Sequence, residues 1–396
     1  MWVNALAVLL LAAPPAALAP ATRMAACGPV VTQGLAEAPW PLARLRPDLA
    51  WPLSTGAGVT VAVIDSGVSS DHPTLSGKVL PGNDFVTPGP GGCDENGHGT
   101  LIAGIIAGRE HSSNGFVFHG IAPNASVVPV RVLRDQSRSF DRDMPARIAA
   151  ALRWAVDQGG AQVVNLSLST TDDPQLASTV KYALDKGVVL VAAAGNESAT
   201  QGPAYPAAYD GVLGVAAVDR QDKHSDTSTT GPYVDLAAPG KQIAGPSPAG
   251  GGYLYSEPGG TSFASAYVSG VAALLRAYEP SLTPKEVGRR LMDTADHPAG
   301  IWNPAVGYGV VNPQRAVGAL QLNQAGTTAL ARVRPVAPPG DPLAEVTSVA
   351  TIVAISGTAT VLVILFGAAA WRRGRRRGWR PSRRRVDPVT PAPTPE

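Results

Sequence analysis

Cysteine is almost missing from this chain: there are two in 396 residues, Cys27 and Cys93. One disulfide is the most they can make. No dense run of Asp and Asn offers the oxygen ligands of a cation loop, and Asp219-Arg-Gln-Asp222 with Asp226 reads as a solvated turn. His72, His111, His119, His224 and His297 lack clustered partners and read as structural or surface groups. No metal and no cofactor is therefore expected. There is no internal repeat. Charged residues make up only 16% of the chain, and the net charge of +2 hides an asymmetry. Nine Arg against one Asp and one Glu place +7 on residues 372–396, so residues 1–371 carry −5. That main portion has no nucleic-acid signature.

What is present begins at the two ends. Residues 5–19 form a short apolar segment with a Pro pair and an Ala-x-Ala ending at Ala17 and Ala19. They read as a secretory signal peptide over 1–19, although the usual basic start is missing. Val346 to Trp371 is an uncharged stretch of 26 residues, longer than the ~20 needed to cross a bilayer. The arginines that follow, from Arg372 to Arg385, favour the cytoplasmic side. The expectation is one transmembrane helix over 346–371, a basic cytoplasmic tail over 372–396, and the rest of the chain outside, tethered to the cell membrane. In an exported protein an even cysteine pair suggests a bridge; two unpaired thiols are the alternative. A bridge would pin the N-terminal extension beside the loop leading to His98. Its 66-residue separation corresponds to about 4 kcal/mol in the chain-entropy view.

Residues 20–57 are rich in Pro, Ala and Gly and read as an irregular stretch that packs through its tryptophans, Trp40 and Trp51, with 20–50 an N-terminal extension wrapping the catalytic domain. From Val59 the pattern changes to short β-branched apolar runs: Val59–Ile64, Ser126–Leu133, Val163–Leu168, Val188–Ala193 and Val212–Val218. Such runs predict strands buried on both faces. Between them lie predicted helices at Thr100–Ala107, Arg147–Gln158 and Leu176–Lys186. Alternation of this kind predicts an α/β domain over 51–322, a mostly parallel sheet with helices on both faces. Residues 134–146 and 241–257 read as surface loops, and Pro-rich 323–345 as a linker. Ligand sites in such folds lie beyond the carboxyl ends of the strands, where Asp65 falls.

Three motifs carry chemistry. Gly260-Thr-Ser-Phe-Ala-Ser-Ala266 places Ser262 at the start of an apolar helix, where free N–H groups favour negative charge. A serine is a weak nucleophile without a base. Asn96-Gly-His-Gly-Thr100 supplies His98, uncrowded between glycines, and Val61-Ala-Val-Ile-Asp65 ends in a carboxylate. Ser262 as nucleophile, His98 as base and Asp65 as the group that orients the imidazole fill the roles of a triad. Each alone has a plainer reading, as a helix cap or a structural histidine. A fourth element, Val191-Ala-Ala-Ala-Gly-Asn196, presents an amide past a strand end. It can donate to an oxyanion or simply form a turn.

The order Asp–His–Ser with these flanks resembles the subtilisin-like serine proteases over about residues 51–320. The resemblance implies the subtilisin-like fold and endopeptidase activity on protein substrates. It also implies that Ser167, Leu168 and Ser169 form one wall of the primary specificity pocket and Ala193, Ala194 and Gly195 the other. Ser169 stands where many relatives carry Gly, and Phe263 and Ala266 where Met and Pro are common. Signal peptide, Trp-Pro-rich extension, a Cys just before the catalytic His, Pro-rich linker and C-terminal span together resemble the mycosins, membrane-anchored subtilases of type VII secretion systems. That implies a serine endopeptidase beside the secretion membrane complex, cutting a restricted set of exported proteins. A structural subunit with catalysis secondary is the alternative. About 30 residues between the signal peptide and Trp51 are too few for a folded pro-domain, so the extension is expected to stay attached.

Overall fold

The structure is a computed structural model that describes residues 27–134, 141–196, 202–299, 301–319, 364–376 and 378. The chain divides into two units, 1–321 and 322–396. In the first, seven parallel strands form the central sheet: β1 (Thr60–Asp65), β2 (Asn83–Asp84), β5 (Ser126–Arg131), β6 (Val163–Leu166), β7 (Val189–Ala193), β8 (Leu213–Val218) and β9 (Leu236–Pro239). Their spatial order is β2-β5-β1-β6-β7-β8-β9. The chain leaves β1 towards β5 on one side and returns to β6 on the other, so β1 sits where the winding reverses. That is where open α/β sheets place their sites.

Why the strands read as continuous apolar runs is visible in β1. Val61 and Val63 enter one core, while Ala62 and Ile64 enter another. Alternate side chains leave opposite faces of a strand, and both faces are covered. The first core is covered by α2 (His98–Ala107) and α5 (Thr261–Tyr278), with α6 (Pro284–Asp293) and α7 (Pro313–Gly318). The second lies under α3 (Met144–Asp157) and α4 (Pro174–Asp185). All of the α2 residues after His98 are buried.

The stretch 241–257 corrects the expectation of a surface loop. It holds an antiparallel hairpin, β10 (Ile243–Pro246) and β11 (Tyr253–Ser256), much of it buried. Its Gly and Pro content hides strands that serve as a seat for the N-terminal extension. Val31 N donates to Ala249 O at 3.0 Å, Gly252 N to Val31 O at 2.8 Å and Tyr253 N to Gln33 O at 2.9 Å. The extension then forms α1 (Trp40–Leu45). The Trp40 indole N–H reaches Lys241 O at 3.0 Å, and Arg44 binds Asp222 at 2.8 Å and Asp296 at 3.0 Å. A smaller hairpin of β3 (His111–Ser113) and β4 (Phe116–Phe118) contacts the same extension, with Ser113 Oγ accepting from Leu35 N at 3.3 Å.

Two histidines also depart from expectation. His72 is fully buried with its ring 5.7 Å from that of His111 and 4.9 Å from Tyr253, and His111 Nδ1 shares a 3.0 Å hydrogen bond with Tyr253 OH. They form a cluster under the extension that sequence separation concealed. In the second unit, residues 364–376 are helical, running past Trp371 into the arginines. Among the described residues no helix is long and apolar enough to cross a membrane. Residues 346–363 of the expected span lie outside the described residues, as do the expected signal peptide and the 323–345 linker.

Candidate active site

Three strand ends and two helix starts meet at the carboxyl edge of the sheet. Asp65 is the last residue of β1 and fully buried. His98 is the first residue of α2, and its Nδ1 lies 2.7 Å from Asp65 Oδ1. That bond leaves Nε2 as the nitrogen for proton exchange, with Nδ1–H pointing at the carboxylate. The close approach depends on glycine. A Cβ on Gly99 would stand 2.0 Å from Gly67 O and 3.3 Å from Asp65 Cβ, and Gly97 caps the helix at φ 87°. Burial pulls the imidazole towards its neutral form. The charge of Asp65, its hydrogen bond and the charge of Asp94 outweigh this and hold the His98 pKa above its ordinary value.

Ser262 is the second residue of α5, so its backbone N–H is among the first-turn donors without an intrahelical acceptor. Phe263 beside it packs its ring 5.5 Å from that of His98, so nucleophile and imidazole share one corner. The Ser262 hydroxyl donates to Ser167 O at 3.1 Å. Beneath it lies a polar network closed from solvent. Ser167 Oγ accepts from Asn165 Nδ2 at 2.7 Å and donates to Ser262 O at 3.0 Å, and Ser269 Oγ donates to Asn165 Oδ1 at 3.0 Å. Asn165 is fully buried, which rules out a glycan there despite its Asn-Leu-Ser pattern.

Asn196 lies just past β7. Its Oδ1 accepts from Thr261 N at 2.7 Å and from Thr261 Oγ1 at 2.8 Å. The amide is thus fixed by its oxygen, and Nδ2 is turned towards Gly260, where any Cβ would stand 2.9 Å from it. Nδ2 is thereby presented at the entrance of α5. The segment 167–169 follows β6 and 193–195 starts at the last residue of β7; the two strands pair as far as Leu166 opposite Ala192. Ser167, Leu168, Ala193, Ala194 and Gly195 are buried, and Ser169 is exposed. A Cβ on Gly195 would meet Thr229 Oγ1 at 3.1 Å and Ala204 Cβ at 3.2 Å. Ala204 and Thr229 are neighbours of this cleft that sequence reasoning missed.

It also missed Asp94. This carboxylate is fully buried and accepts from Ser66 Oγ, Gly97 N and both Thr100 N and Thr100 Oγ1, at 2.6 to 2.9 Å. The signal was present in the spacing Asp94-Glu-Asn-Gly-His98-Gly-Thr100. Cys93, next to it, is bonded to Cys27 as expected. Cys27, Cys93 and Glu95 bring potential ligand atoms together, but both sulfurs are spent in the disulfide.

Comparison with known proteins agrees with this geometry. The profile of the Subtilase family matches residues 56–309. Mycosin-4 of Mycobacterium tuberculosis is 38% identical over 333 residues, 74% of this chain and 72% of that protein. Thermitase of Thermoactinomyces vulgaris is 40% identical over 258 residues, 65% of this chain and 88% of that enzyme. A solved structure described as the MycP3 protease from the type VII (ESX-3) secretion system superposes with TM-score 0.65 at 34% identity, covering 74% of this chain and 92% of that one. The parallel sheet with its flanking helices is therefore the subtilisin-like fold, and the chain belongs to the Subtilase family of serine proteases, in its mycosin branch.

Proposed function

We propose that this protein is a serine endopeptidase, anchored to the membrane by its C-terminal segment, that works beside a type VII secretion complex on a restricted set of exported proteins. The observation that carries the reading is the 2.7 Å bond between His98 Nδ1 and Asp65, at the corner where α5 starts and carries Ser262 as its second residue. Ser262 Oγ attacks the substrate carbonyl and passes its proton to His98 Nε2, with Asp65 offsetting the imidazolium charge. Asn196 Nδ2 and Ser262 N donate to the oxyanion of the tetrahedral intermediate. His98 then protonates the leaving amine, and water releases the acyl group from Ser262. The cleft between 167–169 and 193–195 receives the side chain before the cut bond, with Ser169 narrowing it.

Support for the secretion role comes from the relatives: MycP1 and MycP3 are described as parts of type VII secretion systems. Support for the anchor comes from the uncharged stretch 346–371 and the arginines after it; positive charge beside a span favours the cytoplasmic side, which fits a catalytic unit outside the cell membrane. The test is fluorophosphonate labelling of the full-length protein in membranes, with Ser262→Ala as control. Label on Ser262 that vanishes in the variant is expected. A wild-type protein that never reacts overturns the enzymatic reading.

A further inference from the structure

Asp94 carries more than a helix cap requires. An uncharged Asn caps α-helices as well as Asp does, and burying a full negative charge is costly unless something nearby uses it. Asp94 Oδ2 takes the cap, accepting from Thr100 N at 2.8 Å and Thr100 Oγ1 at 2.6 Å. Oδ1 takes Gly97 N at 2.9 Å and Ser66 Oγ at 2.8 Å. Ser66 Oγ also lies 3.1 Å from Asp65 Oδ1, and it accepts from Gly99 N at 3.0 Å. One hydroxyl proton thus stands between two carboxylates, nearer to Asp94. Drawing that proton to Asp94 leaves Asp65 Oδ1 a stronger acceptor for His98 Nδ1–H. The donors also tie the loop after β1 to both ends of the His98 turn.

We propose that Asp94 is a positioning residue for the proton transfer, holding His98 on Asp65 through Ser66 and supporting the imidazolium that forms when Ser262 gives up its proton. The inference rests on the triad reading above. Among the described residues, Asp65 and Asp94 are the charges that act on His98. Asp65 faces the imidazole from β1 and α5 presents Phe263, while Gly28 of the extension packs against the backbone carbonyl of Asp94. The neighbouring Arg131 is tied to Asp84 at 3.1 Å and to Glu95 at 2.5 Å. The charge of Asp94 is among the influences that raise the His98 pKa, while burial raises that of Asp94 itself against its four donors.

The test is Asp94→Asn in the full-length protein, with kcat and KM measured across pH and Tm measured alongside. The acid limb of kcat/KM is expected to move down by about one pH unit, the scale of losing one nearby charge, with kcat lowered and KM nearly constant. Ser66→Ala, which keeps Asp94 but cuts its link to Asp65, is expected to lower kcat with Tm nearly unchanged. An acid limb that stays in place while Tm falls reduces Asp94 to a cap and overturns the proposal. If Asp94→Asn does not fold, Ser66→Ala decides, and an unchanged kcat there overturns it. His98→Ala separates the two readings: full activity in that variant sinks the triad, whereas an inactive His98→Ala beside an unmoved Asp94→Asn profile sinks only the role of Asp94.

Discussion

The Ser262 hydroxyl donates to the carbonyl oxygen of Ser167, 3.1 Å away, while His98 is held on Asp65. Attack requires the hydroxyl to leave Ser167 for His98 Nε2. Ser262→Ala should abolish labelling and turnover. Asp65→Asn should keep the fold but lower kcat roughly 10⁴-fold, because the imidazole then adopts the wrong tautomer. Steady-state assays beside a circular-dichroism melt check this, and an active Asp65→Asn protein would refute the assignment.

Asn196→Ala should lower kcat and kcat/KM together by roughly 10²–10³-fold, about 2.7–4 kcal/mol of transition-state stabilisation. Equal losses in the two constants mark an interaction made only in the transition state. A rise in KM alone would show that Asn196 merely shapes the groove.

The pH profile should have an acid limb above the ordinary histidine value. The His98 pKa is raised, burial notwithstanding, by Asp65 and Asp94, and the protonated ring cannot accept from Ser262. Activity therefore rises with pH through that limb. His72 acts in the opposite sense and on stability. Burial, with the charge of His111, lowers its pKa to about 4. Between about 6.5 and that value the unfolded chain binds the proton that the folded one refuses, so stability falls as pH falls through this window. Thermal melts from pH 7 to 4 should show the decline, and His72→Gln should flatten it.

Phe263 occupies the position after the nucleophile and packs on His98. It has no sulfur to oxidise, so mild peroxide should leave activity intact, whereas Phe263→Met should become sensitive. Rapid inactivation of the unaltered protein, mapped to this corner, would contradict the expectation.

Cys27→Ser should cost about 4 kcal/mol if closure of the 66-residue separation is what the bridge contributes. Mass spectrometry of active protein should still find residues 27–46 attached. Their release without loss of activity would show that the belt of contacts to Ala249, Lys241 and Asp296 is dispensable.

Much of the site was legible because its chemistry needs local flanks. Asp65 ends an apolar run, His98 needs Gly99 so that the backbone can approach Gly67, and Ser262 needs Gly260 to clear Asn196. Periodicity gave β1, β5, β6, β7 and β8 within a few residues, since strands buried on both faces are mostly apolar and β-branched, with few polar interruptions such as Asn165. It missed β9 and the β10–β11 hairpin, where short strands are written in Gly, Ala and Pro and depend on distant partners. Asp94 escaped for a related reason. Its spacing to His98 and Thr100 is local, but its bond to Ser66 spans 28 positions, and no local pattern records that meeting.

One carboxylate joins the two ends of the catalytic unit. Asp296 binds Arg44 of the extension at 3.0 Å and Arg315 of α7 at 3.1 Å. The first and last helices of the catalytic unit thus close on a residue near that unit's C-terminal end. A polypeptide threading through a translocation channel from its N-terminus cannot make that junction until α7 has emerged. In such a chain, closure of the Arg44–Asp296–Arg315 junction waits for α7. Contacts that join the first helix of the catalytic unit to its last are among the latest that a chain delivered from its N-terminus can form.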